Sequence, residues 1–251
     1  MRLDTLAMYL DSYLRIAEEV ADPPEALNGL QVANAGDVTR LAAAVDLCAA
    51  TVRLASAEGA DLLVVHHGLF WGGLRPLTGP FYDRVAGLLR SNIALYAAHL
   101  PLDRHPDVGN NSQLARLLGI TVRGEFGSYR GAPIGVWGER SGTREELSRA
   151  LAQVLGGAPR LLPFGPERVQ RIGIVTGAGG SLIPQAAAAG LDTYITGEGQ
   201  HWTYFDAEEL RLNVFYAGHY ATETIGVKAL AEHISKKFDL PWVFLDHPTG
   251  L

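Results

Sequence analysis

Residues Ala55–Trp71 read ASAEGADLLVVHHGLFW, and residues Ala186–Trp202 read AAAAGLDTYITGEGQHW. Set side by side at a shift of 131, they agree at six of 17 positions: Ala55/Ala186, Ala57/Ala188, Gly59/Gly190, Asp61/Asp192, Gly68/Gly199 and Trp71/Trp202. The alanine matches are cheap; the Gly, Asp and Trp matches are less so. A second pair follows at a shift of 120, Tyr96-Ala97-Ala98-His99 against Tyr216-Ala217-Gly218-His219. Four residues after each His comes an acid, Asp103 in one copy and Glu223 in the other. The stretch Gly72–Phe81 (GGLRPLTGPF) supplies most of the residues by which the two shifts differ. An internally duplicated half-chain explains this better than two helix–strand units of convergent composition.

The same alternation extends outward from the repeat. Apolar, strand-like runs occur at Leu41–Val45, Leu62–Val65, Ile93–Ala97, Ile172–Val175, Thr193–Thr196 and Val214–Ala217. Between them lie helical patterns such as Thr51–Glu58, Arg84–Leu89, Leu182–Ala189 and Ile225–Lys236. Leu3, Leu6, Leu10, Leu14 and Ala17 predict an opening helix stopped by Asp22-Pro23-Pro24. This is the pattern of an α/β fold. The Gly-rich stretch Arg123–Pro133, followed by a helical pattern at Thr143–Leu155, puts a boundary near residue 128. Two similar α/β domains, 1–128 and 129–251, are expected, with exchange of terminal segments between them left open and a metal site in the cleft between them.

Composition narrows the classes of function. The 251 residues carry 27 acidic and 21 basic side chains, a formal charge of −6, and no basic run. That argues against a surface that tracks nucleic-acid phosphates. A single cysteine, Cys48, excludes an intrachain disulfide framework and a Cys-rich zinc site. Its apolar, alanine-rich surroundings predict a buried small hydrophobe. No apolar stretch approaches the roughly 20 residues that span a bilayer, and the N-terminus lacks a secretory pattern. A cytoplasmic protein without membrane contact is expected.

The chemistry-bearing residues stand where the strand-like runs end, the usual ligand edge of open α/β sheets. His66 and His67 follow Leu62–Val65, and in a loop beyond the strand both can turn to one site. A His-His pair alone is equally well a hydrogen-bonded or surface pair. His219 and Glu223 follow Val214–Ala217 at helical spacing, which also suits a helix-entry His with an acid in the first turn. Asp103 follows Ile93–Ala97; Pro101 predicts an extended turn there rather than a helix, and a turn or cap aspartate is the ordinary role. Together, three imidazoles and two carboxylates can hold two divalent ions of the Zn, Mn or Fe type. Such a site retains net positive charge and favours hydroxide and an anionic small-molecule substrate. Two ions at three donors each need six donors, so five residues suffice only if a carboxylate bridges.

Four motifs then stand in order: Asn28-Gly29-Leu30-Gln31-Val32, Val65-His66-His67-Gly68-Leu69-Phe70-Trp71, Ala98-His99-Leu100-Pro101-Leu102-Asp103 and Gly218-His219-Tyr220-Ala221-Thr222-Glu223. Through nearly the whole chain this set resembles the Nif-three-like family, often labelled GTP cyclohydrolase I type 2. The resemblance implies a dinuclear site on His66, His67, Asp103, His219 and Glu223, with Glu223 favoured as the bridge. It also implies two similar α/β domains, a ring-shaped homohexamer and the short form of the chain. His99, the repeat mate of His219, reads as a residue behind the ligands or a proton shuttle, or equally as a packed strand-end His. Glu198, the mate of His67, reads as an acid/base group or as the orienter of a ligand. His201 reaches the same mouth or sits in a loop, and His105, His233 and His247 read as structural or surface residues. Thr176–Ser181 (TGAGGS) has Leu182 where a dinucleotide loop needs glycine, so it reads as a tight strand–helix turn.

Two functions remain in play. One is a metal-dependent hydrolase that opens a guanine ring with release of formate or cleaves a phosphoester. The other is a metal-binding, ring-forming scaffold or regulatory interaction protein without catalysis.

Overall fold

In the computed structural model, residues 1–18, 22–23 and 26–251 are described. The chain divides into two compact units, Met1–Val108 with Gly226–His247 and Gly109–Ile225 with Pro248–Leu251. The first unit contains α1 (Leu3–Tyr13), β1 (Gly29–Val32), β2 (Leu41–Asp46), α2 (Ala49–Ala57), β3 (Leu62–His67), α3 (Gly79–Arg90), β4 (Ala94–Ala97) and α4 (Leu100–Asp103). The second contains α5 (Asn110–Leu117), β5 (Thr121–Tyr129), β6 (Ala132–Thr143), α6 (Arg144–Leu155), β7 (Arg160–Pro163), β8 (Arg168–Val175), α7 (Ile183–Ala188), β9 (Thr193–Thr196), α8 (Thr203–Glu209) and β10 (Asn213–Tyr216). The helix α9 (His219–Phe238) begins in the second unit and continues into the first, which β11 (Trp242–Phe244) completes.

The apolar runs become strands because they are buried on both faces, as parallel strands under helices must be. β4 and β9 are buried along their whole length, and β2 and β3 at all but their last residue. In the first sheet the order is β1-β4-β3-β2-β11, parallel except for β1 against β4. In the second it is β5-β6-β8-β9-β10-β7, where β8, β9 and β10 run parallel and β7 pairs antiparallel with β10. Read from the antiparallel edge, β1-β4-β3-β2 and β7-β10-β9-β8 share one order and one set of directions. The matched aspartates also do the same work. The Asp61 carboxylate accepts the N–H groups of Thr39 and Arg40 ahead of β2, and that of Asp192 accepts those of Gln170 and Arg171 in β8. Each sheet has its own core, with Val52, Leu63, Val65, Leu88 and Leu95 in the first unit and Leu147, Leu151, Ile172, Ile174 and Phe215 in the second.

Several expectations are corrected. α1 ends at Tyr13, before the helical spacing runs out, because Arg15 adopts a left-handed conformation (φ 53°) and a short 3₁₀ turn follows at Ile16–Glu18. Pro24 of the expected stop lies outside the described residues. The Gly-rich stretch is not a domain boundary: it is the β5–β6 hairpin, so residue 128 falls within β5. Its two-residue turn, Arg130-Gly131, has positive φ at both positions (48° and 92°), which a hairpin turn of this length requires and glycine supplies cheaply. Cys48 is half-buried rather than buried and caps α2, where its N–H donates to Thr51 Oγ1 at 2.9 Å. Among the described residues, no helix is long and apolar enough to cross a membrane.

Candidate metal centre

In the first unit the ligand candidates leave the sheet at adjacent strand ends. β3 continues through His67, so His66 and His67 are strand residues rather than loop residues. The ladder to β4 stops at Val65–Ala97, and past it the two rings lie 4.7 Å apart. His66 is fully buried, and its Nδ1 lies 2.9 Å from the Ala98 carbonyl oxygen. A carbonyl only accepts, so Nδ1 carries the hydrogen and the ring's lone pair is on Nε2. His67 is built alike: its register partner on β2 is Asp46, whose Oδ1 lies 2.8 Å from His67 Nδ1.

Asp103 closes α4 and is 6% exposed, with Oδ2 3.5 Å from His66 Nε2. The extended turn expected around Pro101 is in fact this one helical turn. Proline is tolerated there because first-turn N–H groups have no partner within the helix. His99 caps the turn, its ring 5.0 Å from that of His66 and 5.6 Å from that of His67.

In the second unit the donors stand on a helix N-terminus. His219 opens α9 and Glu223 follows one turn later, which brings His219 Nε2 within 3.2 Å of Glu223 Oε2. On the other side of the ring, Nδ1 lies 2.8 Å from Glu198 Oε1. The hydrogen bond to Glu223, with Glu198 adding to it, outweighs burial and pushes the His219 pKa up to about 9. Glu223 is buried and lies on Gly177 (φ 67°), where a Cβ would run into Glu223 Oε1. The Gly177 N–H donates to Thr222 Oγ1 at 3.1 Å, which ties the TGAGGS turn to α9. Beside Glu198 the unit opens a cavity of about 710 Å³, lined by Arg160, Tyr216, Tyr220 and glycine backbone.

The seven residues singled out in the sequence therefore gather as His66, His67, His99 and Asp103 in one unit and His219, Glu223 and Glu198 in the other. His201 is exposed and packs its ring on Phe205. The sequence reading missed Asp46, Asp22 and Gly177. Asp46 had a usable signal, since it ends an apolar run just as His66-His67 end theirs. Asp22, which bonds His99, was read only as a helix stop.

The donor set suits divalent ions of the Zn, Mn or Fe type. A metal-binding imidazole characteristically gives its other N–H to a carboxylate or carbonyl, and His66, His67 and His219 all do so, His66 beside buried Asp103 and His219 beside buried Glu223.

The chain matches the family described as Duf34/NIF3 (NGG1p interacting factor 3) over residues 1–249. It is 44% identical to a Deinococcus radiodurans protein named GTP cyclohydrolase 1 type 2 homolog, covering 99% of this chain and 94% of that one. A protein of the same name from Pyrococcus abyssi is 43% identical over the full length of both. The crystal structure of TTHA1606 from Thermus thermophilus superposes with a TM-score of 0.92 at 43% identity, covering all of both chains. On this full-length agreement of sequence and fold, the chain belongs to the Duf34/NIF3 family.

Proposed function

We propose that the protein is a dinuclear metal-dependent hydrolase acting on an anionic small molecule, either opening the purine ring of a guanine nucleotide or cleaving a phosphoester. His66, His67 and Asp103 from the first unit and His219 and Glu223 from the second hold two divalent ions, and the two α/β halves arose by duplication. The observation that carries this reading is the set of three imidazoles whose Nδ1 is engaged by an acceptor, beside the buried carboxylates Asp103 and Glu223. The shared strand order and the matched work of Asp61 and Asp192 support the duplication.

When bound, the ions supply Lewis-acid polarisation and acidify water. The chain's own residues do the rest. Asp46 and Ala98 O hold the His67 and His66 rings in one tautomer, and Glu198 holds His219. The donor carboxylates Asp103 and Glu223 offset half the charge of two divalent ions, and Asp46 and Glu198 behind the imidazoles offset much of the rest, so attraction of an anion falls chiefly to Arg160 in the cavity wall. A cavity of about 710 Å³ beside Glu198, with Arg160 in its wall, has the size for a nucleotide-sized ligand. The guanine arm of the proposal is supported by the name the Deinococcus radiodurans and Pyrococcus abyssi relatives carry. Assembly as a ring of six copies in the cytoplasm belongs to the same reading, and the mass of the particle in solution tests it.

The test loads purified protein with Zn, Mn or Fe, counts ions per chain, and assays GTP for formate release and nitrophenyl phosphates for phosphate release. Two ions per chain and a product absent from His66→Ala support the proposal. A stoichiometry near zero after loading defeats it, and full metal loading with no product on either substrate class leaves the scaffold alternative in its place.

A further inference from the structure

His99 lies outside the five residues just assigned to metal, yet it is held as they are. Its Nδ1 is 2.5 Å from Asp22 Oδ1, and a carboxylate accepts, so the lone pair of the ring is on Nε2. Asp22 is itself fixed. Asn28 Nδ2 donates to Asp22 Oδ2 at 2.7 Å, the Leu100 N–H donates to the same oxygen at 3.2 Å, and the side chain is 6% exposed. Asn28 also accepts the His99 backbone N–H through Oδ1 at 2.8 Å, so ring and backbone are tied to one Asp–Asn support. Direction decides the matter: one ring nitrogen of each of His66, His67 and His99 lies within 4.8 Å of the other two. Because Nδ1 of every ring is turned to its acceptor, the nitrogens able to share an ion are the three Nε2 atoms. The Trp71 ring stands edge-on to His99 at 4.9 Å and walls that side of the group.

We infer that His99 is a metal donor, completing a three-imidazole set with His66 and His67 inside the first unit, and that Asp22 is the residue that positions it. The inference rests on the metal reading above and extends it. With Asp103 beside His66, the first unit alone then offers four donors, enough for one ion without help from the second unit.

The test measures Zn²⁺ affinity by chelator competition and the visible spectrum of the Co²⁺-loaded protein for wild type, His66→Ala, His99→Ala and Asp22→Asn. Thermal melts of each metal-free variant establish that it is folded. Asp22→Asn keeps the shape and the ring, so it carries the test if His99→Ala does not fold. The expected result is weakening of about tenfold or more in His99→Ala, about 10–100-fold in Asp22→Asn with a changed Co²⁺ spectrum, and loss of that ion in His66→Ala. If His99→Ala and Asp22→Asn both bind as wild type while His66→Ala loses the ion, the inference is overturned and the metal reading stands. Loss in His99→Ala without loss in Asp22→Asn overturns the positioning role of Asp22. If His66→Ala also binds as wild type, the metal reading fails and this inference falls with it.

Discussion

The two units present their donors by different means from matched positions. Where the first unit has His67 and His99, the second has Glu198 and His219. In the second unit these partners serve each other, Glu198 accepting from His219. In the first, two histidines cannot do so, and each draws a carboxylate from elsewhere: Asp46 on the neighbouring strand and Asp22 ahead of β1. Glu198 at the position matched to His67 therefore supplies an acceptor to its neighbour instead of drawing one. This leaves the first unit rich in imidazole, while the second sets one imidazole between two carboxylates, which is what drives the His219 pKa up to about 9.

That contrast is open to test, beginning with the largest effect. Glu223→Gln is expected to weaken both ions together, because a shared carboxylate lets five residues give three donors to each of two ions and an amide supplies one donor oxygen and no charge, whereas Asp103→Asn weakens chiefly one. Metal counts on each variant decide it. If Glu223→Gln keeps one ion at full affinity while Asp103→Asn loses both, the bridge lies in the first unit. Donation by His99 would give the first-unit ion four donors without Glu223, so retention of that ion in Glu223→Gln together with its loss in His99→Ala would place it in the first unit.

The orienters come next. Asp46→Asn and Glu198→Gln should each weaken Zn²⁺ binding by about 10–100-fold, since each removes the acceptor that sets an imidazole. Chelator competition on the two variants also compares the units directly. Equal losses mean that Asp46 and Glu198 do one job from different places, and no loss in Glu198→Gln would make it an acid/base group rather than an orienter.

A smaller effect concerns pH in the metal-free protein. The His219 pKa is raised above its ordinary value of about 6.5, so protonation stabilises the folded second unit. That stabilisation is complete below about pH 6.5 and is lost as pH rises through about 9. The melting temperature of wild type relative to His219→Ala should therefore fall across this window, and the difference should flatten in the Glu223→Gln background. The same proton must leave before an ion binds Nε2, so metal affinity at His219 should rise with pH up to about 9. Melting curves without this wild-type excess in slope would show that the Glu223 contact does not hold the proton.

The smallest effect lies away from the site. Asp61→Ala and Asp192→Ala should each cost about 1–2 kcal/mol, and by similar amounts, because each removes a carboxylate that accepts two backbone N–H groups at the entry to a strand. Denaturant unfolding measures both, and a large inequality would break the correspondence between the units at its most conservative point.

What the sequence determined by itself is local or periodic. Buried parallel strands must be continuous apolar runs, so Leu62–Val65 and Thr193–Thr196 showed their strands, and the chain exits that followed showed His66, His67, Asp103, His219 and Glu223. Helical spacing likewise sufficed to bring Glu223 to His219. The β5–β6 hairpin was hidden because its glycines read as a domain boundary, although the Arg130-Gly131 turn uses glycine for a positive φ. Asp46 meets His67 only through the β2–β3 register that sets the two opposite each other, and Asp22 meets His99 only through a hydrogen bond across 77 positions. Gly177 is required by the approach of Glu223 from another element, a contact 46 positions distant that no local pattern encodes. A ligand type and its place at a strand end are properties of a few neighbouring residues. The tautomer and aim of an imidazole depend on the acceptor behind it, and tertiary packing alone brings that acceptor there.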